Sequence, residues 1–242
     1  MDTVNTDNPS LFKRFTSDLL SVVTSPASWE QKEWGKFLLL SGGTIILINN
    51  DLRIKEEFQN NQTDFGTDLS RLGEKFGNAL YILPGFGLAY LLGDEQLKNT
   101  VILSIESMTI NIILCDTIKS LTHRHRPRDG DPDLWDGPSL YPHNRSFPSG
   151  HTSTAFTVAA VFAESYKDHP IVPTLAYTLA TITAFNRVYG DHHWASDVFA
   201  GAVLGTYVGK QVVKLDQDPH RNAKILPLFT DQSYGVIFQI RF

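Results

Sequence analysis

The sequence predicts an all-α fold, a helical bundle of six core helices with a short C-terminal β strand or hairpin. Between residues 28 and 214 the apolar runs are of helix length and are bounded by caps or breakers. Only Ile225–Phe242 alternates, with Val236, Phe238, Ile240 and Phe242 on one side. With 242 residues, 42% of them apolar, the chain is long enough for one domain with a substantial core.

Taken in order, residues 1–27 read as a polar lead-in with a short amphipathic piece around Leu11–Val23. Ser28 offers an N-cap, and Gln31 stands three residues on, as a capping box requires. A helix is expected from there to about Asn50. Residues 51–75 are charged and poor in apolar periodicity, so a loop carrying at most one surface helix is expected. Helices follow over Ala79–Leu92 and Gln96–Ser120. The second ends near Pro127, which cannot continue a helix interior and restricts the residue before it. Residues 128–148, rich in Asp, Gly and Pro, predict a loop of about 20 residues, a length that within a compact domain usually signals function. Thr152–Tyr166, Ile171–Tyr189 and His193–Lys214 complete the six helices, and the tail is expected to turn at Asp231-Gln232-Ser233. The chain thus divides into a lead-in (1–27), a helical domain (28–220) and a β tail (221–242).

The net charge of −5 argues against nucleic acid as a partner. The positive charge is local, concentrated in His123-Arg124-His125-Arg126-Pro127-Arg128. Cys115 is the single cysteine, so no disulfide forms within the chain and the redox compartment stays open. Met1–Ser10 has no basic n-region and no apolar h-region, so no secretory signal is visible. The longest charge-free stretch, Phe76–Gly93, has 18 residues and is interrupted by four glycines and Pro84. With a mean hydropathy of −0.15, the composition favours a soluble or peripheral helical domain over one with several full spans. Membrane contact remains compatible with it.

Three segments carry chemistry. In the first, Lys119 and Arg126 are seven residues apart, nearly two helical turns, so both project from one face if the helix persists. Arg supplies a planar fork for two oxyanion oxygens and Lys a point charge; the structural alternative is a solvated basic helix end. In the second, Pro148-Ser149-Gly150-His151 precedes an apolar helix. Gly150 allows close backbone approach, unpaired amides at the helix start favour an anion, Ser149 can donate its hydroxyl, and His151 sits where it can protonate a leaving oxygen. The alternative is an ordinary Pro-Ser-Gly turn capped by Ser or Thr. In the third, His193 and Asp197 stand at i and i+4, with Arg187 six residues upstream. A carboxylate that accepts from one imidazole nitrogen fixes the tautomer and turns the other outward as nucleophile or base. The alternative is a helix pair of marginal energy. His192 competes for the role, but Ser196 stands where its acid would be, so His193 is preferred.

Together the segments resemble the phosphatidic acid phosphatase type 2 superfamily, which includes bacterial non-specific acid phosphatases and vanadium haloperoxidases. The family pattern is Lys-x6-Arg-Pro, Pro-Ser-Gly-His, then Ser-Arg-x5-His-x3-Asp. Here it reads Lys119–Pro127, Pro148–His151 and Asn186-Arg187 through His193 to Asp197, with Asn186 where Ser is usual. The resemblance covers residues 119–197 directly. It implies a metal-independent phosphatase acting on a phosphomonoester or diphosphate, a lipid phosphate being favoured over a soluble ester. It implies attack by His193 to form a phosphohistidine, orientation by Asp197, and proton transfer by His151. Lys119, Arg126, Ser149, Gly150 and Arg187 would bind the phosphate, without cofactor or metal. It also implies an extracytoplasmic, periplasmic site, soluble or membrane-associated.

Three rivals remain. Asp129-x-Asp131-x-Asp133 resembles a calcium loop, but Leu134 and Leu140 occupy the positions that need Gly and Glu. A vanadate-dependent haloperoxidase would use the same pocket, and so would a binder without catalysis. Substrate identity and oligomeric state are left open. So is the part played by Trp135 and Tyr141, which read either as lining for a lipid tail or as loop anchors.

Overall fold

The computed structural model describes residues 11–139, 141, 143–218, 223–230 and 233–240. Nine α-helices stand among them: α1 (Leu11–Thr24), α2 (Gln31–Ile48), α3 (Asp51–Asn60), α4 (Asp64–Phe76), α5 (Ala79–Leu92), α6 (Glu95–Thr122), α7 (Gly150–Ser165), α8 (Ile171–Tyr189) and α9 (Ala195–Asp216). The fold is all-α, and the six predicted helices are α2 and α5–α9. At the C-terminal end the backbone of Ala223–Thr230 pairs antiparallel with Ser233–Ile240, as strands β1 and β2. The first ten residues of the lead-in, and Asp231 and Gln232 of the expected turn, lie outside the described residues.

Two expectations are corrected. Ser28 does not cap α2. It ends a 3-10 turn and donates to the Ser25 carbonyl, and Glu30 precedes the helix without a side-chain cap. Residues 51–75 hold two helices instead of a loop. The signal for α4 was a cap: Thr63 accepts from the Gly66 amide at 3.1 Å. Tertiary packing then fixes α4 against α8. A Cβ on Gly66 would lie 2.7 Å from the Tyr189 hydroxyl, and one on Gly73 would lie 2.4 Å from the Ile182 carbonyl.

The core gathers around α7. Val161 meets Val22, Leu103, Ile110, Val208 and Val212, from α1, α6 and α9. Each such side chain contributes roughly 1.5–3 kcal/mol on burial. On its α9 side, α7 is approached by a row of glycines. A Cβ on Gly201 would stand 2.6 Å from the Ser149 carbonyl, and one on Gly205 would stand 2.1 Å from that of Ser153. The two helices therefore touch backbone to backbone at the end where the second and third motifs sit.

The outer faces are apolar in places. Leu39, Leu92 and Ile171, on α2, α5 and α8, are more than 70% exposed. By length and composition α6 could cross a membrane, as could α2 and α3 taken together across their 60° bend.

Candidate active site

Lys119 lies in the last turn of α6, buried, with Nζ donating to the Arg145 carbonyl at 2.8 Å. The helix stops at Thr122 because His123 turns left-handed (φ 41°) as its C-cap. Arg126 is therefore not on the helix, as expected from spacing, but in extended backbone beyond it (φ −84°, ψ 160°), where its guanidinium donates to the His192 carbonyl at 3.2 Å. The two cations thus come from different elements, Lys119 from α6 and Arg126 from the extended segment beyond its cap.

The loop that follows packs against this basic run. Trp135 stands 4.7 Å from the Arg124 guanidinium and 5.4 Å from the Phe147 ring, an anchor. Tyr141 is exposed. The loop ends at Ser149, the N-cap of α7, whose amide donates to the Asp197 carbonyl at 2.9 Å. The Ser149 hydroxyl accepts from Thr152 at 3.0 Å, which leaves its own proton for an anion. Gly150 begins the helix with space around it, since an added Cβ would meet nothing nearer than 3.8 Å. His151 is half-buried beside it, and Gly77 at the end of α4 abuts its Cβ.

His193 and Asp197 meet, though not along one helix face. α9 starts at Ala195 with Trp194 as N-cap, so His193 precedes the helix and Asp197 is its third residue. Asp197 Oδ2 accepts from the Trp194 amide (3.0 Å) and the Ser146 hydroxyl (2.5 Å), and Oδ1 accepts from Arg124 (2.7 Å). His193 Nδ1 lies 3.5 Å from Asp197 Oδ2 and 3.3 Å from Ser146 Oγ. Nδ1 thus faces two acceptors, and Nε2 is left with its lone pair. Burial pushes Asp197 up, but the bonds from His193, Arg124 and Ser146 together hold it below the usual carboxylate value. Burial, aided by the Lys119 and Arg126 charges and opposed by Asp197, holds His193 down to about 4, so its imidazole is neutral.

Arg187 closes the arrangement from α8. Its guanidinium donates to the Asn186 side-chain oxygen (2.6 Å from Nε) and to Glu74 (2.6 Å). Asn186, the departure from the family pattern, also donates to Ser70 at 2.8 Å and so ties Arg187 to α4. Burial, then the Arg187 charge, lowers His151 to about 4.

The PAP2 superfamily model matches residues 100–221, half of the chain. The chain belongs to the PAP2 superfamily. Over 66 residues, 27% of its length, this PAP2 chain is 44% identical to the lipid A 1-phosphatase of Porphyromonas gingivalis, and it spans only 15% of that relative's length. Among solved structures it resembles Aquifex aeolicus LpxE, with a TM-score of 0.55 and 24% identity over 68% of this chain and 94% of that one. It also resembles a transmembrane PAP2-type phosphatidylglycerolphosphate phosphatase from Bacillus subtilis, with a TM-score of 0.54 and 19% identity over 76% and 97%. Both structural likenesses are of fold.

Sequence reasoning missed the support behind the PAP2 motifs. Arg124, wholly buried, bridges Asp197 and Asp51, the latter at 2.8 Å. Asp51 also accepts from the Ser196 amide at 3.0 Å and from its hydroxyl. Arg124 stood in the noted basic run, and Ser146 two residues before the second motif. Asp51 gave no local signal, since its partner is 73 residues away.

Proposed function

We propose that the chain is a phosphatase that takes phosphate from a lipid phosphate through a phosphohistidine intermediate. His193 Nε2 attacks phosphorus, and the bond to the leaving oxygen breaks as His151 gives that oxygen its proton. Water then attacks phosphorus as His151 takes its proton, the P–N bond breaks with its electron pair returning to His193 Nε2, and phosphate leaves. Lys119, Arg126, Arg187, the Ser149 hydroxyl and the Gly150 amide hold the three non-bridging oxygens and offset the charge that builds on them.

One observation carries the reading. Nδ1 of a buried, neutral His193 faces Asp197 and Ser146, so the free lone pair is at Nε2, among cations. A lipid substrate is supported by the relative named for lipid A and by the exposed leucines and isoleucines of α2, α5 and α8. That apolar surface favours membrane association over a soluble acid phosphatase, and an extracytoplasmic face is the reading the family resemblance carries. The test is a denaturing quench at alkaline pH during turnover of a labelled lipid phosphate. An acid-labile, base-stable phosphoprotein is expected in the parent and none in His193→Ala. A variant at that position with the parent's rate would overturn the mechanism.

A further inference from the structure

A groove of about 310 Å3 opens beside the candidate catalytic residues and holds Lys119, Gly150 and His151 in its wall. It continues along α6 and α7 past Asn111 and Thr154, with Asn78 opposite. Asn111, Cys115 and Lys119 follow one another at intervals of four along α6, so a single stripe of the helix lines this wall. Asn111 is fully buried. Its side-chain oxygen accepts from Ser153, while its amide nitrogen has no hydrogen-bond partner. Either orientation of the amide leaves one polar end unmatched, because Ser153 engages only the other.

An unpaired buried amide costs about 1–3 kcal/mol, and native proteins keep few of them. Cys115, four residues on along the same stripe of α6, is buried, so this wall accepts a side chain other than an amide. Its position suits a ligand. Ser153, the partner of Asn111, lies three residues beyond Gly150, about 4.5 Å deeper along α7 than the amide proposed to hold phosphate. His151, in the same wall, marks the side on which the leaving oxygen departs.

We infer that Asn111 with Thr154 forms a leaving-group subsite that reads a polar oxygen one helical turn below the phosphate. The glycerol or sugar backbone of a lipid phosphate carries oxygens there, and a polyprenyl chain carries none. The inference rests on the phosphatase reading and adds what that reading leaves open, the chemistry next to the ester.

The experiment compares kcat/KM for a diacylglycerol phosphate and a polyprenyl monophosphate in the same detergent micelles, for the parent, Asn111→Leu and Asn111→Ser. The parent is expected to prefer the glycerol ester by at least about tenfold, and either variant to lose most of that ratio. Serine is included because it leaves room in the core should leucine disturb folding. A parent ratio near one, or a ratio unchanged in the variants, overturns the subsite and leaves the phosphatase reading standing. A parent inert toward both esters overturns a subsite for the glycerol oxygen, and trapping of the phosphoprotein decides the phosphatase reading separately.

Discussion

Under the proposed mechanism, replacing Asp51 should slow the reaction although Asp51 touches none of the residues proposed to hold phosphate and does not touch His193. The buried chain runs from Asp51 through Arg124 (2.8 Å) to Asp197 (2.7 Å), and from there to His193. In Asp51→Ala, Arg124 keeps one carboxylate where it had two, and the Ser196 amide loses its acceptor. Breaking a buried ion pair from one side costs about 3–5 kcal/mol. At roughly 2–4 °C per kcal/mol for a domain of this size, the melting temperature should fall by about 6–12 °C for the lower figure. Asp197, held less firmly, lets the imidazole drift, and a displacement near 1 Å costs on the order of 100-fold in rate. The expected result is a kcat lower by about 10- to 100-fold with KM nearly unchanged, because no group that holds phosphate has moved. Asp51→Asn keeps an acceptor oxygen and should lose less. Melting curves and steady-state kinetics on one preparation decide it. Unchanged kcat and melting temperature in Asp51→Ala would refute the reasoning, and a raised KM at constant kcat would show that Asp51 acts on binding.

Glu74→Gln should release Arg187 from its 2.6 Å ion pair and tighten competitive inhibition by vanadate about two- to fivefold, a modest change because Glu74 is half exposed; weaker inhibition would count against the clamp. Adding a Cβ at position 205 drives α9 off the Ser153 carbonyl, so Gly205→Ala should destabilise by about 1–3 kcal/mol and lower kcat with it, as read by denaturant melts and rates. In the proposed mechanism His193 must be neutral to attack, so kcat/KM should fall as pH drops through about 4. By the same proposed mechanism His151 must be protonated to act as acid; burial, then the Arg187 and Arg126 charges, depresses it, and bound phosphate offsets those charges, so the basic limb of kcat should lie at higher pH than that of kcat/KM. Both histidines take up protons on unfolding between about 4 and 6.5, so stability should decline as pH is lowered across that window in acid-dependent melts.

The helices that carry the motifs were legible because their apolar runs, caps and prolines agree locally. α3 and α4 are less so, because Phe58 of α3 packs on Tyr189 of α8 and the glycines of α4 rest on Tyr189 and Ile182, contacts that no local pattern displays. Order and spacing single out the candidate residues, but spacing alone misplaces two of them. Arg126 was set on a helix that His123 terminates, and His193 on one that begins two residues later. Both errors come from treating spacing as a continuous helix where a cap intervenes. The Asp51–Arg124 pair lay beyond any local rule. It links segments 73 residues apart, and its two side chains look like ordinary surface charges until the fold buries them.

The hydrogen bond from the Ser149 amide to the Asp197 carbonyl has a bearing on transplantation. It joins the N-cap of α7 to the third residue of α9, so the proposed anion cradle and the carboxylate beside His193 share a single backbone joint. Grafting either helix alone onto a new scaffold would carry the side chains without the distance between them. The smallest portable unit is the crossed pair, glycines included.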